Sequence, residues 1–299
     1  SNIVYIGYLL LLTRKYGIVG FAAATVLAFF MQLVINIPKY RKLGYRYKPV
    51  FNFRERELKT IFTLMIPVVI STSLIQLNMF INRSFATNIY AGAVTVLEFA
   101  NKINTLAYEV FAIGIAMIIF PTLAENIAKG NIEEYKSALN KGINTILLIM
   151  VPAAFAIAML RLPLITIIFK RGAFGQNSLL LTSGALLFFC PAMIAYSLRD
   201  ILNKAFYAVK DTKTPMINSF IGIVLNILLN LVFARSMGVA GLTLSTSISS
   251  AITAILMLTG INKKLHGINL SKTLGALARI TIASAAMAAV IFITNNLCI

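Results

Sequence analysis

Long apolar runs separated by short basic segments dominate the pattern of the chain. An α-helix needs about 20 apolar residues to cross the ~30 Å hydrocarbon core of a membrane. Seven runs approach or exceed that length, at 17–37, 61–81, 142–160, 179–198, 215–233, 238–260 and 280–293 with its flanks. An eighth run, from Tyr90 to about Leu123, is apolar apart from Glu98, Lys102 and Glu109. The pattern predicts an all-α, polytopic membrane bundle of about eight full transmembrane helices plus one partial helix before Thr13.

Composition supports a membrane protein and excludes several functions. Apolar residues make up 59% of the chain and charged residues only 12%, against about 25% charged in soluble domains. The net charge of +18 would suggest nucleic-acid binding in a soluble protein, but here the charge lies between the apolar runs. Cys190 and Cys298 lie in apolar runs and His266 is the one histidine, which argues against a disulfide, a zinc site or histidine catalysis. Since hydrolase and nucleotide-binding motifs are also missing, we expect no enzyme activity.

The basic residues alternate between loops and predict an orientation. Nineteen Lys and Arg residues fall in 39–59, 129–141, 199–213 and 263–279, whereas seven fall in 14–15, at 83, in 161–171 and at 235. The positive-inside rule places the richer set in the cytoplasm. The remaining basic residue, Lys102, lies within a predicted span.

A weak internal repeat suggests how the chain is organised. Gly17-Ile-Val-Gly20 is similar to Gly238-Val-Ala-Gly241, 221 residues later, and both segments lead through a span to a basic inner loop. Parallel repeats are typical of secondary transporters, although small residues at this spacing also occur in unrelated membrane helices. If the repeat is real, one unit begins near Thr60 and its partner began about 160 residues before Ser1.

The beginning of the chain is consistent with that interpretation. Residues 2–12 are apolar, but the basic residues Arg14 and Lys15 follow them, whereas a signal peptide carries its positive charge first. We therefore expect the end of a helix, in a fragment that holds the tail of one lobe and the whole of the next. Such a fragment alone is expected to bind substrate without translocating it, because alternating access needs two lobes.

One predicted span carries a polar stripe. Glu98, Asn101, Lys102, Thr105 and Glu109 recur at helical spacing and so share one face. A charged side chain at the centre of a membrane helix costs about 2.5–3.5 kcal/mol on insertion scales, so the stripe should face the bundle interior or a water-filled cavity. Two interpretations stay open: Glu98 and Lys102 neutralise each other at i, i+4, or Lys102 enters a cavity and attracts an anionic substrate group.

Amide side chains form a second group of candidates. Gln76 shares a helix face with Arg83, Asn82 lies on another face of the same span, and Asn226 and Asn230 are four residues apart. Such amides most often form hydrogen bonds between membrane helices. The alternative is an oxygen-rich cation site, which would be weak for Na⁺ or H⁺ because no carboxylate belongs to it.

Four short motifs are more specific than these patterns. In chain order they are Lys42-Leu-Gly-Tyr-Arg-Tyr-Lys-Pro49, Gln76-x-Asn78, Ile168-Phe-Lys-Arg171-Gly172-Ala-Phe174 and Tyr207-Ala-Val-Lys-Asp211-Thr-Lys-Thr-Pro215. Together they resemble the signatures of the bacterial lipid II flippases, the MurJ/MviN family. The resemblance covers essentially the whole chain, which is similar to the end of the fifth through the thirteenth of the family's fourteen helices.

The resemblance implies a fold and a function. The fold is that of the multidrug/oligosaccharidyl-lipid/polysaccharide exporters, two six-helix lobes around a V-shaped cavity. Residues 1–59 would be the end of the first lobe, 60–265 the complete second lobe, and 266–299 an additional C-terminal helix. The function would be to flip undecaprenyl-diphosphate-linked peptidoglycan precursor, lipid II, across the bacterial cell membrane by alternating access. The partners would be this lipid, membrane lipids and the missing first lobe.

The resemblance also implies site residues. Asn101-Lys102 resembles a family position where an acidic or amide residue precedes a cavity arginine, so Lys102 is expected to bind the diphosphate. The other expected substrate-binding residues are Asn101, Arg83, Gln76 and Glu98. Some members bind Na⁺, and the similar positions here form a candidate weak Na⁺ site of Asn82, Asn226, Asn230, the Leu242 backbone and Thr246. No other cofactor is expected, and Na⁺ or the membrane potential would drive transport.

The sequence also bears on four alternative functions. A sister exporter of O-antigen or capsule units on the same lipid stays open, whereas a drug exporter should favour acidic cavity residues. A membrane glycosyltransferase would need catalytic carboxylates near an outer loop, and the predicted outer loops contain no Asp or Glu. A non-transporting scaffold for cell-wall enzymes also stays open.

Overall fold

The apolar runs fold as helices because hydrocarbon offers no partners to the backbone, so each N–H and C=O must bond within its own segment. A computed structural model of the chain describes residues 2–44, 56–172 and 174–297. Within these ranges eight helices are long and apolar enough to cross a membrane. The predicted all-α membrane bundle and its eight spans are confirmed.

The chain divides into two compact units, Ser1–Glu55 and Arg56–Ile299. The first holds α1 (Asn2–Leu11) and α2 (Thr13–Lys42). Gly17 bends α2 with φ 51° and ψ −141°, a conformation that suits glycine because it has no Cβ. The Tyr8 hydroxyl donates a hydrogen bond of 2.7 Å to the Gly17 carbonyl oxygen, which ties α1 to this bend. Residues 45–49 of the first motif lie outside the described residues.

The second unit carries the remaining elements. They are α3 (Arg56–Thr87), α4 (Ala93–Tyr108), a π-turn (Glu109–Ile113), α5 (Gly114–Ala128), α6 (Ile132–Met159), α7 (Arg161–Phe169), α8 (Gln176–Ala208), α9 (Lys213–Met237), α10 (Val239–Lys264) and α11 (Leu270–Leu297). The predicted run from Tyr90 to Leu123 is one span, α4 to α5, continued through the π-turn. Helix α7 was missed, because nine residues between basic positions resemble an outer loop.

Helices α8 and α10 form the centre of the second unit. Helix α8 packs against α4, α6 and α10, while α10 also packs against α9. Polar side chains join these helices: the amide of Asn104 donates to the Phe189 carbonyl at 2.8 Å, and the hydroxyl of the fully buried Tyr135 donates to the Ala205 carbonyl at 2.7 Å. Hydrogen bonds between membrane helices contribute about 0.6 kcal/mol each on average, so apolar packing supplies most of the contact energy.

A single glycine connects α9 to α10. Gly238 has φ 60° and ψ −135°, close to the angles of Gly17. Three residues later, a Cβ on Gly241 would lie 2.1 Å from the Phe233 carbonyl oxygen. Gly20 is similarly crowded in the first unit, where a Cβ would lie 2.1 Å from the Tyr8 hydroxyl. The matching backbone bend and close approach support the predicted repeat.

The last motif closes one end of the second unit. The carboxylate of Asp211 accepts hydrogen bonds from the Thr214 backbone N–H at 3.0 Å and the Thr214 hydroxyl at 2.8 Å, and so caps the start of α9. It also accepts a bond of 2.7 Å from the Lys264 ammonium at the end of α10. Burial favours a higher pKa for Asp211, but the bonds from Lys264 and Thr214 outweigh it and hold the pKa below its ordinary value.

Candidate functional site

A polar cavity of about 510 Å³ opens within the second unit, between α3, α4, α8, α9 and α10. All five members of the predicted stripe lie on its wall: Glu98, Asn101, Lys102, Thr105 and Glu109. The α-helical spacing from Glu98 to Thr105 brings the first four residues onto one face. The structure therefore places the stripe where the sequence analysis expected water or substrate.

An ion pair bridges α3 and α4 at this cavity. Arg83 Nε lies 2.6 Å from Glu98 Oε1, and both side chains are partly exposed. The first interpretation of the stripe, a Glu98–Lys102 pair, is therefore wrong. Arg83 reaches Glu98 because the end of α3 packs against α4, and one carboxylate oxygen is satisfied by its guanidinium. A partly exposed pair of this kind contributes little to stability.

Lys102 is a cation on this wall that takes no part in the Arg83–Glu98 pair. Its side chain is exposed on the cavity wall, and it forms no ion pair with any residue in the described ranges. Its neighbour Asn101 lies on the same wall and accepts a hydrogen bond of 3.4 Å from the Thr105 hydroxyl. Gln76 is exposed on α3 but does not line this cavity, so its role in substrate binding stays a prediction.

A second group of charged residues on the cavity wall was missed. Asp200 accepts a hydrogen bond from the Tyr108 hydroxyl. Arg199 donates from Nη2 to the Ser219 hydroxyl at 3.5 Å, while its Nε is buried without a hydrogen-bond partner among the described residues. The apolar run ends at Leu198, so the charge pattern assigned Arg199 to the inner loop. The helical spacing of Tyr196, Arg199, Asp200 and Asn203, all of which line the cavity, was the available signal.

The predicted amide group forms one buried network between α3, α9 and α10. Asn230 Nδ2 donates to Asn82 Oδ1 at 2.7 Å and to Asn226 Oδ1 at 3.2 Å. Thr246 Oγ1 accepts from Asn226 and Asn82 at 3.2 and 3.3 Å, and donates to the Leu242 carbonyl at 2.9 Å. These five residues are buried, and Asn82 and Thr246 also line the cavity.

The oxygen atoms of this network are of the kind that could bind a cation. Asn230 Oδ1 is buried and receives no hydrogen bond within the described part of the chain. An unsatisfied buried acceptor is costly, and a hard cation prefers oxygen ligands of this kind. The five residues therefore fit a cation, although no carboxylate among them would balance its charge.

The motif at 168–174 contacts α4 by aromatic stacking. The Phe99 ring stacks on Phe169 with centroids 4.4 Å apart and meets Phe174 at 5.5 Å. The motif therefore packs against α4 through Phe99. Residue 173 within this motif lies outside the described residues.

Comparisons with known proteins agree with this architecture. The family model described as lipid II flippase MurJ matches residues 1–298. The chain is 27% identical over 271 residues to the probable lipid II flippase MurJ of Vibrio cholerae serotype O1 (strain ATCC 39315 / El Tor Inaba N16961), which covers 90% of the chain and 51% of that relative. The chain spans about half the length of the curated relatives it matches.

Two solved structures are similar over most of the chain. Lipid II flippase MurJ in an inward closed conformation is 25% identical with a TM-score of 0.74, covering 98% of this chain and 59% of that one. The crystal structure of MATE in complex with MaL6 is 19% identical with a TM-score of 0.74, covering 89% and 60%. The second likeness shows the fold alone.

Proposed function

Because the chain belongs to the lipid II flippase MurJ family, we propose that it takes part in moving lipid II from the inner to the outer leaflet of the bacterial cell membrane. In the described part of the chain, eight helices are long and apolar enough to cross a membrane, as expected of a multi-pass membrane protein. A diphosphate cannot enter hydrocarbon without another source of solvation, since burying an unpaired charge is very costly. A polar, cationic cavity between membrane helices offers that solvation.

The observation that carries the proposal is Lys102. Its ammonium lies on the wall of the cavity, while Arg83 is engaged by Glu98 at 2.6 Å. An ammonium without an ion pair in a membrane span attracts an anionic ligand, and a diphosphate carries the complementary charge. Asn101 adds an amide one residue away for hydrogen bonding to the same group.

Transport of this kind needs no covalent chemistry, and we propose none. The substrate diphosphate enters the cavity while its polyprenyl chain stays in lipid, and rocking of two lobes exposes the cavity to each side in turn. Neither a catalytic residue nor an organic cofactor takes part. Related lipid-linked oligosaccharides share the diphosphate, so the headgroup has to be distinguished by experiment.

We also propose that the amide network holds Na⁺ weakly. Asn82, Asn226, Asn230, Thr246 and the Leu242 carbonyl supply neutral oxygens, and Asn230 Oδ1 has no donor within the described ranges. Asn82 and Thr246 reach the cavity wall, which gives an ion a route to the network. A Na⁺ gradient would supply driving force for transport. Without Na⁺, these residues still join α3, α9 and α10.

Binding of undecaprenyl diphosphate to the purified chain in nanodiscs tests the proposal. We expect Lys102→Ala to weaken binding about 10- to 100-fold, because a hydrogen bond to a charged group contributes roughly 1.5–3 kcal/mol. Lys102→Arg should bind nearly as well as the unchanged chain. Lys129→Ala is a matched control, because Lys129 is exposed, pairs with Glu125 and lies outside the cavity.

Two outcomes would contradict the proposal. If the Lys102→Ala variant and the unchanged chain bound undecaprenyl diphosphate with equal affinity, Lys102 would not contact the substrate. Binding of O-antigen or capsule lipid in preference to lipid II, measured by competition with undecaprenyl diphosphate, would assign the chain to the sister exporters. Leaflet transfer of a fluorescent lipid II in liposomes then measures whether a bound substrate is moved.

A further inference from the structure

A second concave surface lies away from the cavity, between α6 and α11. It is a groove of about 360 Å³ bounded by Leu148 and Pro152 on α6 and by a face of α11 that begins at Arg279. Ile280, Ala283 and Met287 continue that face along α11. The groove therefore has a basic residue at one end and a mainly apolar lining over the rest of its length, since the hydroxyl of its other polar residue, Ser284, donates to the Ile280 carbonyl at 2.7 Å.

The charge of Arg279 has no counterion among the described residues. Its Nε donates to the Gly275 carbonyl at 3.2 Å, and it forms no ion pair with any described residue. Asp211 is the last acidic residue of the sequence, so α11 contains none. The acidic residues of α6 are Glu133 and Glu134; Glu133 pairs with Lys136 at 2.8 Å, and neither forms an ion pair with Arg279.

Arg279 lies at a depth along α11 from which its side chain can reach a lipid headgroup. Lys272 lies seven residues earlier, about 10 Å along the helix, and the loop before α11 follows Lys263 and Lys264. The positive-inside rule places this end in the cytoplasm. The membrane-spanning part of α11 runs from Ser271 to Thr294, so Arg279 lies eight residues, about 12 Å, inside its cytoplasmic end. A long arginine side chain at that depth can extend to the headgroups of the inner leaflet.

We propose that the α6–α11 groove binds an anionic glycerophospholipid of the inner leaflet, with its phosphate on Arg279 and an acyl chain along Ile280, Ala283 and Met287. Basic pockets between membrane helices on the cytoplasmic side recognise anionic headgroups in this way. The groove shares no residue with the transport cavity. The lipid is therefore a structural ligand of the bundle and not the transported substrate.

The test compares phosphatidylglycerol and phosphatidylcholine with identical acyl chains, titrated onto the delipidated chain and measured by native mass spectrometry. We expect phosphatidylglycerol to bind the unchanged chain about fivefold more tightly, and Arg279→Gln to remove that preference while Arg279→Lys keeps most of it. Ala283→Trp should weaken both lipids, because an indole fills the groove. Lys272→Gln and Ala286→Trp are matched controls, since both residues are exposed on α11 but lie outside the groove.

Each other result overturns the proposal. Equal binding of the two lipids, or an unchanged preference for phosphatidylglycerol in Arg279→Gln, would show that Arg279 does not bind the headgroup. If Lys272→Gln lowered the preference for phosphatidylglycerol as much as Arg279→Gln, the preference would come from general attraction to the basic surface. If Ala283→Trp left the affinity for both lipids unchanged, the lipid would bind outside the groove. Displacement of phosphatidylglycerol by undecaprenyl diphosphate in a Lys102→Ala background would assign the groove to the substrate. Because Lys102 is unchanged in the groove variants, their failure leaves the proposed function standing.

Discussion

Replacing Asp211 with alanine removes two different interactions at once. One is the cap of α9, in which Asp211 accepts from the Thr214 backbone and hydroxyl at 3.0 and 2.8 Å. The other is the pair with Lys264 at 2.7 Å, in which the Lys264 side chain is 42% exposed. Losing a helix cap costs about 0.5–2 kcal/mol, and a pair this exposed contributes at most about 1 kcal/mol. We expect Asp211→Ala to lower the free energy of unfolding by about 0.5–3 kcal/mol.

Two milder variants separate these interactions. Asp211→Asn keeps an oxygen for the Thr214 backbone N–H but loses the charge, and Lys264→Gln loses only the ammonium. Each should cost at most about 1 kcal/mol, and combining them should add little because both remove the same pair. Asp211→Ala should exceed either variant, because it alone removes the cap.

The chain provides its own probe for this measurement. It contains no tryptophan, but Cys190 is buried at 4% exposure within α8. With Cys298 replaced by serine, a thiol-reactive dye reports exposure of Cys190 as detergent-solubilised protein is heated. A midpoint for Asp211→Ala no lower than that for Lys264→Gln would refute the capping role.

The pH dependence of the same variants has a definite sign. The pKa of Asp211 is lowered in the folded chain, below an unfolded value of about 3.9. Its contribution to stability is therefore complete above that pH and is lost as pH falls through the folded pKa. The difference in midpoint between the unchanged chain and Asp211→Asn should be constant near neutral pH and should shrink below about pH 4.

Two further predictions address the backbone and the orientation. Gly241→Ala should destabilise the chain by about 1–3 kcal/mol, because its Cβ would lie 2.1 Å from a backbone oxygen. Gly184→Ala in α8, where nothing lies within 4 Å, should be neutral or stabilising, and an equal loss of thermal midpoint in both would contradict the crowding argument. In a cysteine-free background, Ser236→Cys should react with an impermeant thiol reagent in intact cells, and Lys263→Cys should not; the reverse labelling would invert the orientation.

The spans could be predicted because a membrane imposes one simple requirement, a continuous apolar helix, and the sequence meets it eight times. The internal repeat could be found for a similar reason, since Gly17 and Gly238 both occupy backbone angles that exclude most residues. Short elements carry no such signal. Helix α7 has nine residues, too few to reveal their environment.

Only some of the residues that line the cavity, and few of their contacts, could be predicted from the sequence. Periodicity placed Glu98 and Lys102 on one face, but the partner of Glu98 came from another helix, since Arg83 lies 15 residues away. Contacts between helices depend on how the helices pack, which periodicity within one helix does not contain. Arg199 was misplaced because the charge pattern alone treats a basic residue at the end of an apolar run as a loop residue.

The π-turn at Glu109–Ile113 lies within a 36-residue span, Ala93–Ala128. It determines which side chains beyond it face the core of the bundle. A π-turn holds one more residue than the α-helical turn it replaces, so everything beyond it is rotated by about 100° relative to an uninterrupted helix. Before the turn the span presents its polar stripe to the cavity; beyond it, Leu123 is fully buried while Met117 and Ile118 are exposed. Removing one residue here would restore regular winding and turn Leu123 away from the core. This segment should therefore tolerate many apolar exchanges but hardly any change of length.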